Sequence, residues 1–238
     1  MLGLVAISML AWANIAKLAV EMDPTAPHML PWDLYDFLMM FLMWTVMMIA
    51  MMTPSATPMV LVFYSIHKQQ QEGDQSYLST FIFLGGYLVV WTGFSLLATL
   101  LQWGLHSVAL LSSMMVSTSP LLGGMLIFAA GLFQWTYLKD ACLRHCRSPL
   151  GFILQEWRKG LRGSFLLGLK HGIYCVGCCW ALMLLLFAVG VMNLLWVAVI
   201  AGFVLIEKIM PKKYRIGPIS GFLLLGWGIW TIFNGLTV

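Results

Sequence analysis

Sulfur and imidazole gather in three short stretches of this sequence. Residues 39–52 read MMFLMWTVMMIAMM, seven methionines in fourteen positions. On a helix turning about 100° per residue, Asp36, Met40, Met43, Met47 and Met51 fall within an arc of roughly 80°. That arrangement is a stripe of thioethers about one turn apart, with a carboxylate at its upper end. Thioethers are soft, uncharged donors that select Cu(I)-like ions over hard cations. Methionine is also a common filler of irregular apolar cores, so the stripe has a ligand reading and a packing reading.

The second stretch runs from Tyr137 to Pro149. Cys142 and Cys146 are four apart, hence on one face if the helix continues, and His145 is three from Cys142. Lys139, Arg144 and Arg147 flank them and favour thiolate over thiol. The spacing is not a common zinc spacing. It suits a cytoplasmic metal-exchange point, free thiols, or a membrane-proximal turn whose arginines meet lipid phosphates. The third stretch runs from His171 to Trp180. His171, Cys175 and Cys178 span roughly 60° of a helix, with Cys179 flanking them. Cys175 lies near the middle of an apolar run, at a depth comparable to Met47 and Met51, where a polar or ionisable group marks a functional site by default. The candidate metal ligands are therefore Met40, Met43, Met47, Met51, His171, Cys175, Cys178, Cys179, Cys142 and Cys146. A second chemistry is open to Cys175-Val-Gly-Cys178, a CxxC pair suited to thiol–disulfide exchange. That reading leaves the methionines without a role and Cys179 surplus.

The elements that must position these residues are membrane helices. Of 238 residues, 61% are hydrophobic and 9% charged, against about 25% charged in a soluble domain. So much apolar surface implies an integral membrane protein. Five cysteines in two groups do not make an extracellular disulfide framework. No cleavable leader is evident, and the first apolar run reads as a retained helix, with Ala11-Trp12-Ala13 as the alternative cleavage site. Apolar runs fall near residues 2–20, 34–66, 78–104, 121–138, 164–190, 193–209 and 216–235. The expected fold is all-α: one polytopic transmembrane bundle over residues 1–238, of about seven helices. Its parts are a first helix (1–20), an acidic outer loop (21–33), a Met-rich helix (34–66) kinked at Pro54 and Pro58, a basic cytoplasmic loop (139–163) and a Cys/His helix (164–190). Glycines such as Gly85, Gly86, Gly123, Gly124, Gly131, Gly168, Gly172, Gly177, Gly217 and Gly221 should let helices approach closely. Eleven of thirteen basic residues lie in three alternate loops, which places the N-terminus in the cytoplasm and the C-terminus outside. The outer loop, with Glu21, Asp23 and Asp33 and with Asp36 just beyond it, would concentrate cations above the methionine stripe. Lys170 should snorkel inward, and Glu207 should pair with Lys208 or Arg215.

Three motifs together carry a resemblance: Met47 to Pro54, Tyr137 to Pro149, and His171 to Met183. They resemble those of a bacterial domain family of unknown function, described as predicted metal-binding integral membrane proteins, over roughly residues 30–235. The resemblance implies a membrane fold and metal binding. The Met-xxx-Met spacing is also similar to that of eukaryotic copper transporters, but only locally, since those are three-helix trimers.

These readings converge on a membrane metal-binding protein of the bacterial cytoplasmic membrane that handles a copper ion, or another soft or borderline metal. The thiol–disulfide oxidoreductase, and an accessory or metal-loading subunit of a larger membrane enzyme complex, are the alternatives. No phosphate-cradling Gly-rich loop ending in Gly-Lys-Ser/Thr is present, so no ATPase is expected, and an enzyme of any kind is the weaker reading. The expected partners are the lipid bilayer and a copper chaperone or other membrane subunits, with no nucleic acid.

Overall fold

In a computed structural model, which describes residues 2–21, 32–70, 74–107, 119–158 and 160–236, the chain is helical with no strand among the described residues. The helices are α1 (Leu2–Glu21), α2 (Leu34–Gln70), α3 (Asp74–Ser107), α4 (Pro120–Phe133), α5 (Tyr137–Arg147), α6 (Pro149–Glu156), α7 (Gly160–Leu184), the single turn α8 (Leu186–Val189), α9 (Leu194–Ile209) and α10 (Ile216–Leu236). Most of the acidic outer loop, with Met22, Asp23, His28 and Met29, lies outside the described residues.

Every expected apolar run forms helix, but the runs are not seven equal spans. Four helices among the described residues are long and apolar enough to cross a membrane: Leu34–Gln69, Gln75–Ser107, Gly160–Val189 and Ile216–Gly235. The run at 121–138 breaks, because α4 and α5 meet at a 65° bend. Sequence chemistry places the break. Gln134 closes α4, and Thr136 starts α5 by accepting a hydrogen bond on its Oγ1 from the Lys139 N–H, as an N-cap does. α9 has only 16 residues. The segment 139–163, expected as a basic loop, is largely the two helices α5 and α6, the latter opened by Pro149 in its first turn.

At 37 residues, α2 would extend about 55 Å, well beyond the roughly 30 Å of a hydrocarbon core. It continues through Pro54 and Pro58, which lack the N–H groups an interior turn needs. Local hydroxyls serve carbonyls there: Thr53 donates to Ile49 O, Ser55 to Met52 O and Thr57 to Thr53 O. Its start is held by reciprocal bonds between Asp33 and Asp36, so the carboxylate at the top of the methionine stripe serves the helix end.

α3 packs against both α2 and α7, α4 pairs with α10, α5 lies on α7, and α6 and α9 reach α2. The α3–α7 seam is a backbone-to-backbone approach. A Cβ on Gly168 would overlap the carbonyl oxygen of Phe83, and one on Gly86 would overlap that of Phe165. At Gly124 and Gly131 a Cβ would lie 3.1 Å from the carbonyl oxygens of Gly228 and Gly221, so α4 and α10 also pack closely. Gly86, Gly124, Gly131 and Gly168 are thus used at helix contacts as expected, whereas a Cβ at Gly85 would meet nothing within 4 Å.

Candidate functional site

α7 directs Cys175, Cys178 and Cys179 into the core. Cys178 Sγ donates to Cys175 O at 3.1 Å and Cys179 Sγ donates to the same carbonyl at 2.9 Å. α5 lies alongside. Its basic and apolar residues segregate, so Cys142 and Cys146 are buried while Arg144 is exposed. Cys146 of α5 and Cys178 of α7 are neighbours across the two helices. Cys142 sits over Gly177, where a Cβ would lie 2.7 Å from its sulfur. Cys179 in turn contacts both Cys175 and Cys178. All five cysteines are free and buried, and together they form a string of thiols along the α5–α7 seam. The 65° bend after α4 folds α5 back against α7, which brings the two cysteine groups together on facing helices.

A cation completes the cluster. Lys208, in the last turn of α9, donates from Nζ to Cys175 Sγ at 2.9 Å and to Ser55 Oγ at 2.9 Å. Tyr87 Oη of α3 lies 3.2 Å from Cys175 Sγ and donates to Met52 O of α2 at 3.2 Å. Cys175 thus stands where α2, α3, α7 and α9 converge. Burying an ammonium is costly unless other groups compensate it, and here a thiol and a hydroxyl take two of its three protons.

The methionines occupy different roles. Met43, Met47 and Met51 are buried in the core, with Met48 and Met52, so the stripe faces inward. Met40 is half-buried and accepts from Gln102 Nε2 at 3.8 Å. The stripe and the thiol string do not meet face to face. α3 lies between α2 and α7, and the two are linked indirectly, through Met52, Tyr87 and Lys208. His171 is buried among Phe83, Tyr87 and Phe152, at centroid separations of 6.1, 5.4 and 5.8 Å. Neither ring nitrogen has a hydrogen-bond partner among the described residues. His145 instead stacks on Tyr174 at 4.1 Å, and its Nδ1 lies 2.9 Å from Ala141 O.

One acid–base expectation changes. Glu207 pairs with Lys139 at 2.7 Å, both side chains being at most 3% exposed, rather than with Lys208 or Arg215. Lys139 also bonds Gln134 Oε1, and Arg147 Nε donates to Glu207 O at 2.8 Å. Lys170 pairs with Glu156. Lys208 is hidden in the sequence by its position: topology counts it as a loop charge, yet it lies inside the last apolar turn of α9. The signal available is its flanking sequence, Ile206-Glu207-Lys208-Ile209, where two charges interrupt an otherwise apolar helix.

Residues 41–231 match the family model described as "PpoB2: Copper chaperone". The chain belongs to this copper chaperone family. No curated protein and no solved structure matches it.

For a member of a copper chaperone family, the donor set has the right softness. Thiols and thioethers suit Cu(I), whereas carboxylate and carbonyl oxygens suit hard ions, and no carboxylate enters the thiol string. No three His, Cys, Asp or Glu side chains among the described residues are already gathered as a metal site. Holding an ion at three of the sulfurs therefore requires side-chain rotation.

Proposed function

We propose that this chain is an integral membrane copper chaperone that holds Cu(I) on the thiol string between α5 and α7. Cys146 and Cys178 are the primary ligands, Cys142, Cys175 and Cys179 are the sulfurs to which the ion can pass, and Lys208 balances the charge of the bound thiolates. The observation that supports this reading is the convergence of every cysteine in the chain on one buried cluster beside a buried ammonium. Two thiolates around one Cu(I) carry a net negative charge, and Lys208 is the cation placed to offset it within an apolar core. His171 offers an unpartnered nitrogen near the same cluster. Met43, Met47 and Met51 form a soft, buried approach along α2 toward Met52. The membrane location is supported by the long apolar helices.

The contacts disfavour Cys175 and Cys178 as an exchanging CxxC pair. Cys175 is engaged by Tyr87 and Lys208, and Cys178 by Cys146 on another helix. The test is elemental analysis of protein purified without oxygen from membranes washed at alkaline pH. Wild type should stay in the membrane pellet and retain copper in fixed ratio. Cys146→Ser/Cys178→Ser should lose most of it, and Met43→Leu/Met47→Leu should retain it but load more slowly. Copper unchanged in the cysteine variant, or a chain released by the wash, would overturn the reading.

A further inference from the structure

Beside the thiol string, at the bend between α4 and α5, a pocket of about 450 Å³ opens toward the surface. Small-molecule sites run from about 300 to 1,000 Å³. Three cationic side chains line it, Lys139, Arg147 and Arg215, with two carboxylates, Asp140 and Glu207. Its floor is the buried Lys139–Glu207 pair with Gln134. Two polar atoms of that floor have no partner among the described residues: Glu207 Oε1, an acceptor, and Gln134 Nε2, a donor. Both residues are at least nine-tenths buried, Glu207 at 2% exposure and Gln134 at 5%. Buried polar atoms left without partners cost free energy, so this floor is shaped for something that brings both a donor and an acceptor. The floor also lies near the thiol cluster. Leu143 of the pocket wall lies between Cys142 and Cys146 on α5, Arg147 follows Cys146, and Lys139 and Glu207 are both close enough to Cys178 to act on it electrostatically.

We propose that this pocket receives a small anionic thiol carrying Cu(I), and that copper passes between that carrier and the cysteine string across the Lys139–Glu207 floor. The inference rests on the thiol string being the copper site. A carrier bearing both carboxylates and an ammonium, as γ-glutamyl peptides do, answers each feature. Its carboxylates meet the arginines and Gln134 Nε2, and its ammonium meets Glu207 Oε1. Transfer is ligand exchange without redox. As each Cu–S bond to a cysteine forms, one Cu–S bond to the carrier breaks. The cysteine proton goes to the departing carrier thiolate, and copper stays Cu(I).

The test uses the full chain in detergent, without oxygen, with two Cu(I) donors: the glutathione complex and the uncharged-ligand acetonitrile complex. Arg215 has φ 49°, a conformation glycine adopts freely, so Arg215→Gly removes the guanidinium without backbone strain. Losing one charge-assisted contact is worth about tenfold. Arg215→Gly should therefore slow loading from the glutathione complex about tenfold relative to loading from the acetonitrile complex. S-methylglutathione, which keeps the carboxylates but has no free thiol, should inhibit loading of wild type from the glutathione complex alone. Equal rates from both donors in both proteins, with no inhibition, would overturn the proposal. So would inorganic phosphate or anionic lipid inhibiting as well as S-methylglutathione, which would mark a general anion or headgroup site. If neither donor loads wild type, the copper site itself fails, a result separate from failure of the pocket.

Discussion

The Lys208 ammonium, bonded to Cys175 and Ser55 and only 6% exposed, is the most informative single group in the molecule. A buried cation of this kind marks function more often than stability. Lys208→Met keeps length and volume while removing the charge, and Ser55 retains its bond to Met52 O. Copper affinity, measured by competition with a Cu(I) chelator, should fall at least about tenfold, with helix content unchanged by circular dichroism. Unchanged affinity would show that Lys208 plays no part in holding the ion. The thiols themselves were legible in the sequence, since Cys142/Cys146 and Cys175/Cys178/Cys179 fall on helix faces by spacing alone. Their shared location was not, because it depends on the angle between α4 and α5. Lys208 and the Lys139–Glu207 pair escaped for a related reason: partners 33 and 68 residues away leave no local trace.

At the scale of the element, α7 decides whether the site exists. Its glycines let α3 and α5 come close enough for Tyr87 and Cys142 to reach the cluster. A Cβ at Gly168 would overlap the backbone carbonyl of Phe83, and a backbone atom cannot rotate away. Gly168→Ala should therefore force α3 and α7 apart and cost about 1–3 kcal/mol, read as a lower Tm in detergent. Gly85→Ala, with nothing within 4 Å of its Cβ, is the matched control and should leave Tm unchanged. An equal Tm for both variants would contradict the close seam. Small residues at helix contacts were readable from the sequence, because membrane bundles use them everywhere. The break at residues 134–136 was less so: hydropathy runs on across it, and only Gln134 and Thr136 hint that one apolar run holds two helices.

The whole molecule shows apolar residues outward as well as inward. On α10, Phe222, Leu223 and Trp230 are 64–70% exposed, and a soluble monomer rarely shows so large a contiguous apolar face. Composition alone made the helical, apolar class legible. It could not distinguish runs that can span from runs that stop short, because length and bending decide that. Pairing the methionine stripe with the cysteine helix from sequence rests on equal depth, and depth does not say which helix stands between them. Here α3 does, so the methionines approach the thiols at Met52 rather than along the whole stripe. The proposal that unites these features is a single copper ion held by cysteine sulfur between α5 and α7. X-ray absorption at the copper edge, on protein loaded without oxygen, tests that most directly. The expected spectrum is Cu(I) with a nearest shell dominated by sulfur, lost in Cys146→Ser/Cys178→Ser. A nearest shell of nitrogen and oxygen, or a sulfur shell unchanged in that variant, would contradict it.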